Sequence, residues 1–567
     1  MTAPVSVYTN AEKDPTVSAA LELFARELRE RAGAAMERAG RDADLQVAIR
    51  SDLPAEAFAI EDSPGEALCV AGGDGRGVLY GLGKLLRTSR LAPGDVRLGR
   101  WRGVSAPQRP LRAIYFASHF HNFYHDAPVA EVCRYVQELA LWGCNALMVW
   151  FDMHHYSGID DPAAVEMIQR LRAILQAARA VGMAPVLAAL ANEAYVTSPR
   201  ELRADWTAGH DGYTHPPGGH YHVEICPSRP GGMDEILRRR AEVLQAFANV
   251  GVEYLVIWPY DQGGCTCGRC APWGANGYLR SAREVANLAR RALPNARIVL
   301  STWYFDHFTT GEWEGLARAL AAGKADWADY LLADDAGDDF PPYPLEHGVP
   351  GDLPMVSFPE ISMYRMWPWG GYGANPLPAH LQRIWDSVGD RLAGGFPYSE
   401  GIFEDINKAI CLQLNWDPGR RVDEIVREYA AYEFSPQVAD DVAVAIALME
   451  SSMRHRPTPQ FRQYLEGAAP TFAPSSIAYD LPAATHPERY FGPLRRADAR
   501  LPQRARQSWR WRVLWLRAAL DVELHASGGR PTQQADEYFA ELTRIYHADN
   551  AQFCTRPPVF TRHQSSA

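Results

Sequence analysis

From Leu111 onward the chain repeats one pattern: a short, almost continuous apolar run, a polar loop, then an amphipathic stretch with helical periodicity. The apolar runs are LRAIYFAS, NALMVWFD, APVLAALANE, EYLVIWPYD, RIVLSTWYFD, ADYLLADD, LPMVSFPE and AGGFPYSE. Runs of this length without polar alternation read as parallel strands buried on both faces. Helical segments such as PVAEVCRYVQELALWG and MDEILRRRAEVLQAFANVG separate most of them, whereas DDFPPYPLEHGVPGD, between the sixth and seventh, reads as a helix-poor loop. Eight such units predict a (β/α)8 barrel over residues 106–416.

Residues 1–105 have a different rhythm. PVSVYT, LQVAIRS, AFAIED and ALCVAGG read as strands, VSAALELFARELRERAG as a helix, and GDGRGVLYGLGKLL as a glycine-marked turn into a second helix. This predicts a small α/β domain ahead of the barrel. Residues 417–567 read as helical, through RVDEIVREYAAYEF, VADDVAVAIALMESSM, QSWRWRVLWLRAALDVEL and QADEYFAELTRIY. Trp511 and Trp515, one helical turn apart, read as core.

Composition narrows the function without deciding it. The 567 residues carry a net charge of −11, spread along the chain, which argues against a nucleic-acid partner. No run reaches the ~18 apolar residues of a membrane helix. The N-terminus has neither a basic nor an apolar leader pattern, and nine cysteines, most of them isolated, suit a reduced protein, so a cytoplasmic location is expected. Homo-oligomerisation is left open. The 16 Trp and 25 Tyr matter more, because several fall in loops such as WPWGGYG and STWYFDHF, where flat apolar faces can stack on sugar rings.

Barrel chemistry sits at the C-terminal strand ends. Those ends offer His119, His121 and Asn122 from the first strand and Asp152, followed by His154 and His155, from the second. The third gives Glu193, the fourth Tyr260, Asp261 and Gln262, the fifth Trp303, and the sixth Asp334 and Asp335. The seventh gives Glu360, then Tyr364, Trp367 and Trp369, and the eighth Glu400. Acidic groups converging among tryptophans suit a carbohydrate. Carboxylates accept from sugar hydroxyls, and glycoside cleavage needs a proton for the leaving oxygen and stabilisation of a cation-like carbon.

The stretch EAFAIEDSPGEALCVAGGDGRGVLYGLGKLL resembles the accessory domain ahead of the barrel in family 20 β-hexosaminidases and α-glucuronidases, and the domain order resembles the β-N-acetylhexosaminidase superfamily. YSE ending at Glu400 is similar to the aromatic-Ser-Glu of family 20, whose glutamate binds sugar hydroxyls. The resemblance implies removal of a β-linked N-acetylhexosamine, GalNAc or GlcNAc; the departure from the family 20 pair sets GalNAc slightly ahead as the expectation. It implies retention, with the substrate's own acetamide as nucleophile, no catalytic cofactor, and Trp303, Trp367 and Trp369 walling the acetamide. Families 20 and 123 carry an adjacent Asp-Glu pair after strand four; here Asp261-Gln262 stands at that place, and a glutamine cannot deliver a proton. Either Asp261 is the acid, with Gln262 or a tyrosine holding the acetamide, or Asp261 orients the acetamide and the acid is Glu360, Glu193 or another strand end.

Directly after Asp261 come Cys265, Cys267 and Cys270, spaced C-x-C-x-x-C, with Cys226 in EICPSRP as the best fourth ligand. The quartet is either a closed structural zinc site or a set of reduced thiols bracing the loop. The D-x-G-G-C-x-C-x-x-C pattern also resembles bacterial barrel proteins related to endo-β-N-acetylglucosaminidases. Three further readings remain. The His-x-His at 119–121 partly fits a metal-dependent amidohydrolase. An α-glucuronidase-like inverting enzyme needs basic residues for a uronate, of which Arg365 is the main one. A non-catalytic sugar-binding barrel would account for Gln262.

Overall fold

The computed structural model describes residues 3–63, 67–118, 122–204, 223–259, 264–306, 309–321, 325–335, 339–362, 373–453, 486–528 and 532–547. Its centre is a closed barrel of eight parallel strands: Leu111–Phe116, Ala146–Trp150, Ala184–Leu190, Tyr254–Trp258, Arg297–Ser301, Tyr330–Asp335, Met355–Pro359 and Leu392–Gly395. The first strand pairs with both the second and the eighth and so closes the ring. The eighth breaks after Gly395 and resumes at Tyr398–Ser399, still beside the first strand. Glycine is required at the break. Gly394 has φ 145, and a Cβ there would lie 1.9 Å from the Leu111 carbonyl oxygen.

Side chains of alternate strand residues fill the barrel. Ala113 and Tyr115, Met148 and Trp150, Val186 and Leu190, Val256 and Trp258, Leu332, Phe358 and Tyr398 form one buried inner cluster. The opposite set faces the surrounding helices, among them Val129–Ala140, Pro162–Ala180, Gly232–Ala246, Gly277–Ala292, Glu312–Leu320 and Asp405–Trp416. In the sixth-to-seventh link, expected to be helix-poor, the described residues hold a short helix, Pro342–His347, started by a proline in its first turn, and a 3-10 turn, Pro350–Asp352.

The N-terminal part is a six-stranded mixed sheet whose two helices, Pro15–Ala32 and Gly75–Thr88, pack on each other. Asp14 caps the first helix through the Thr16 and Val17 amides. This part seals the N-terminal end of the barrel. The fully buried Arg112 of the first barrel strand ion-pairs with Glu56 at 2.8 Å and donates to the carbonyls of Gly143 and Arg109.

The C-terminal helices Val422–Glu433, Ala439–Ser452, Glu488–Asp498, Trp509–Ala526 and Gln533–Ile545 cover one flank. Glu428 binds Lys84, Arg87 and Arg420, and Arg31 bridges Glu27 and Glu433, so buried ion pairs join the first and last parts. Trp511 is core, as expected, with its indole N–H on Asp498 at 2.8 Å. Among the described residues no helix is long and apolar enough to cross a membrane.

Candidate active site

The inward register of the strands carries straight into the C-terminal mouth. Counting by twos past the inner cluster leads from Trp150 to Asp152, from Leu332 to Asp334, from Phe358 to Glu360 and from Tyr398 to Glu400. All four carboxylates are at most 8 % exposed. Beneath them lies an aromatic floor centred on Phe358, whose ring sits 4.8 Å from Trp258, 5.4 Å from Trp303, 5.6 Å from Tyr398 and 5.9 Å from Tyr115. Trp303 was expected from the sequence; Trp258, Phe358 and Tyr115 were not.

The seventh and eighth strand ends are tied together. Glu360 pairs with Tyr398 in a parallel bridge, and its Oε1 accepts from the Ser362 amide at 2.8 Å. Ser362 Oγ donates to the Tyr398 carbonyl and accepts from the Glu400 amide. Tyr398 donates its hydroxyl to Glu400 Oε1 at 2.5 Å. One serine thus holds the Glu360 side chain and the Glu400 backbone on adjacent strands. Below this turn the fully buried Lys408 binds Glu404 at 3.2 Å and donates to the Gly401 carbonyl and Tyr135 hydroxyl. Burial pushes the Glu404 carboxyl up, although Lys408 opposes this, and burial likewise pushes the Lys408 amine down. Asp405 beside them receives Tyr135, Tyr429 and Arg510, so the C-terminal helices brace the turn that carries Glu400.

Glu193 stands differently. Glu193 lies just past the end of the third strand, between Trp150 of the inner cluster and Arg240 on the helix Gly232–Ala246. Its carboxylate receives the Met153 amide at 2.9 Å, the Trp150 indole at 3.3 Å and Arg240 at 3.4 Å, and lies 3.1 Å from His154 Nδ1. It joins the second strand end to the third. Asp152, in turn, is ion-paired with His155. Burial works against the charged imidazole, but the Asp152 carboxylate outweighs it and raises the His155 pKa. Asp152, His154 and His155 place three ligand atoms within 4.8 Å of one another. Asn122 caps the short helix Phe123–Asp126 and donates to the Ala117 carbonyl.

The fourth-strand exit is held from outside. Trp273 donates its indole N–H to the Pro259 carbonyl at 2.7 Å, and a Cβ on Gly264 would fall 2.1 Å from the same indole. The segment Val223–Cys226 runs back along the end of the third strand. Ala194 donates to Val223, Ile225 to Asn192, and the Asn192 amide to Ile225. This brings Cys226 Sγ to 3.8 Å from both Cys267 and Cys270, and all four sulfurs, Cys265 included, lie within 4.8 Å of one another. The expected sites His119, His121, Tyr260, Asp261, Gln262, Tyr364, Trp367 and Trp369 lie outside the described residues, as does Arg365.

No family model and no curated protein matches the chain. Solved structures do. A family GH115 4-O-methyl-α-glucuronidase with specificity for decorated arabinogalactans is 12% identical, covers 99% of this chain and 79% of its own, and has a TM-score of 0.63. A GH20 exo-β-N-acetylglucosaminidase from Vibrio harveyi, in complex with N-acetylglucosamine, is 13% identical over 79% of this chain and 75% of its own, at 0.52. A mutant β-hexosaminidase from Streptomyces plicatus, in complex with its product GlcNAc, is 13% identical over 81% and 93%, also at 0.52. The chain has the (β/α)8 fold, with flanking domains, of these glycoside hydrolases.

Proposed function

We propose that the protein is a glycoside hydrolase that binds a neutral sugar in the C-terminal mouth of its barrel and removes a β-linked N-acetylhexosamine. The observation that supports the reading is that four buried carboxylic residues, Asp152, Asp334, Glu360 and Glu400, continue the inward parity of their strands past the aromatic cluster at Phe358. Hydroxyls of a neutral pyranose donate to such carboxylates, and its C–H face packs on rings.

Roles follow from the surroundings of each group. Glu193 accepts from a backbone amide, an indole and a guanidinium and faces an imidazole, which supports a role in positioning the second and third strand ends. Glu360, on the inward register, protonates the leaving glycosidic oxygen. The acetamide oxygen of the substrate closes on C1 as that bond breaks, with Asp261 orienting the acetamide in the role that the Asp261-Gln262 resemblance implies. Water then opens the oxazolinium ring, giving its proton back to Glu360, and the configuration at C1 is retained. Glu400 accepts from sugar hydroxyls, held in place by Tyr398.

A second reading is supported by the likeness to the family GH115 glucuronidase, which extends over 99% of the chain, helical C-terminus included. A uronate carries its own negative charge, and four carboxylates at the mouth disfavour it unless a cation such as protonated His155 compensates. The stereochemistry of the product separates the two. NMR of the first-formed sugar should give retention, and a thiazoline mimic of the oxazolinium should inhibit competitively. Inversion together with release of a glucuronic acid would establish the second reading instead.

A further inference from the structure

We propose that Cys226, Cys265, Cys267 and Cys270 form a closed tetrathiolate site for one zinc ion, which fixes the chain where the fourth barrel strand ends. Three of the sulfurs come from one loop and the fourth from an earlier segment, 41 residues from Cys267 and 44 from Cys270. A zinc–sulfur bond of ~2.3 Å places tetrahedral ligands about 3.8 Å apart. Cys226 stands 3.8 Å from Cys267 and from Cys270. Disulfide sulfurs would be about 2.0 Å apart. Two of the separations thus match those of sulfurs sharing a metal, and all four sulfurs lie within 4.8 Å of one another.

The surroundings fit a metal as well. Cys226, Cys265 and Cys270 are buried, and Cys267 is partly so. The Cys270 amide donates to the Cys267 carbonyl at 2.8 Å, so the two thiols project from one tight turn. Arg280 donates to Ser228 Oγ at 2.7 Å, and that hydroxyl lies 3.1 Å from Cys270 Sγ. A zinc with four thiolates carries two net negative charges, and Arg280 reaches them through the serine. Between Gly264 and the helix Gly277–Ala292 the regular structure is one short turn, Trp273–Ala275, so a metal would add a cross-link to the loop's local hydrogen bonds. Four protein ligands leave no open position, so the metal cross-links and takes no part in chemistry.

The consequence is mechanical and independent of the sugar the enzyme takes. Cys270 packs beside Gly277, where an added Cβ would meet Cys270 Cβ at 3.0 Å and the Trp273 ring at 2.3 Å. Trp273 in turn holds the Pro259 carbonyl. Metal, cysteine loop and fourth-strand exit form one rigid piece.

The full-length chain, purified without chelator, is analysed for metal, then stripped with a mercurial and chelator and titrated with cobalt(II). About one zinc per chain is expected. The stripped protein should melt at a lower temperature. Cobalt should restore the loss and give the visible d–d bands and near-ultraviolet charge transfer of a tetrahedral tetrathiolate. Cys226→Ser should lose that spectrum and Cys69→Ser should keep it. If Cys226→Ser does not fold, the wild-type cobalt spectrum decides alone. A purified chain without zinc that takes up no cobalt into a thiolate site would overturn the proposal, as would a spectrum that survives in folded Cys226→Ser.

Discussion

The indole of Trp273 donates to the carbonyl of Pro259 at 2.7 Å, fastening the cysteine loop to the end of the fourth strand. Gly264, on the other side of residues 260–263, packs on the same ring. Asp261 and Gln262 are thus bracketed in sequence by two residues that touch one tryptophan. Gly264→Ala would force a methyl into the indole and should cost ~1–3 kcal/mol in stability. Trp273→Phe keeps most of the packing but strands the buried carbonyl, at a further ~1–3 kcal/mol. Urea unfolding checks both, and an unchanged midpoint in Gly264→Ala would mean that the loop is not held against Trp273.

Glu193 and Arg240 form a buried ion pair at 3.4 Å. Removing one partner leaves the other charged and buried, so Glu193→Gln or Arg240→Met alone should destabilise by ~3–5 kcal/mol. The double variant should lose less than the sum of the two. If Glu193 were instead the catalytic acid, the folded Glu193→Gln variant would in addition lose rate, chiefly on substrates with poor leaving groups.

Acid should loosen the docking of the N-terminal part on the C-terminal helices. Burial alone would raise the Glu27 carboxyl, but Arg31 outweighs it and holds the group down at about 2, from 4.5. Burial likewise opposes the charge of Glu428, and Arg87, Lys84 and Arg420 hold it well below the usual carboxylate range. For depressed carboxyls the unfolded chain binds protons first as pH falls. Their stabilisation is whole above pH ~4.5 and is lost on the way down to ~2; for Glu27 alone it is on the order of 3 kcal/mol. Urea midpoints measured across that window should fall with pH in wild type, and less steeply in Glu27→Gln. A flat profile would contradict the sign.

Leaving-group dependence separates the roles of Glu360 and Asp261. Glu360→Gln should lower kcat by ~10²–10⁴ on substrates whose leaving group needs protonation, and far less on nitrophenyl glycosides. Asp261→Asn should lose rate alike on all of them, because the acetamide is needed whatever departs. The reverse pattern would make Asp261 the acid.

The barrel was legible because each strand is an uninterrupted apolar run, and the cysteine quartet because its spacing is unusual enough to ask for a fourth thiol, which Cys226 supplies. The finer placement of the acids was not read from the runs as wholes. Glu193 and Glu360 both stand at strand ends, yet only Glu360 shares the parity of the inner residues; the two-residue period distinguishes them once the inward set is known. Trp258 and Phe358 were hidden for the same reason, inside runs taken as undivided core. Arg240, which claims Glu193, and Lys408, which sits under the Glu400 turn, lie on helices whose polar residues look like solvated faces in one dimension.

The most direct test of the account is hydrolysis of a panel of p-nitrophenyl glycosides, with β-GalNAc, β-GlcNAc, β-Glc, β-Gal and α-GlcA compared on one preparation of the wild-type protein. Turnover of an N-acetyl-β-hexosaminide, β-GalNAc or β-GlcNAc, is the predicted result. Little or no turnover is predicted for the β-glucoside and β-galactoside, which lack the acetamide. Cleavage of those two, or of the α-glucuronide, without any N-acetylhexosaminidase activity would contradict the account.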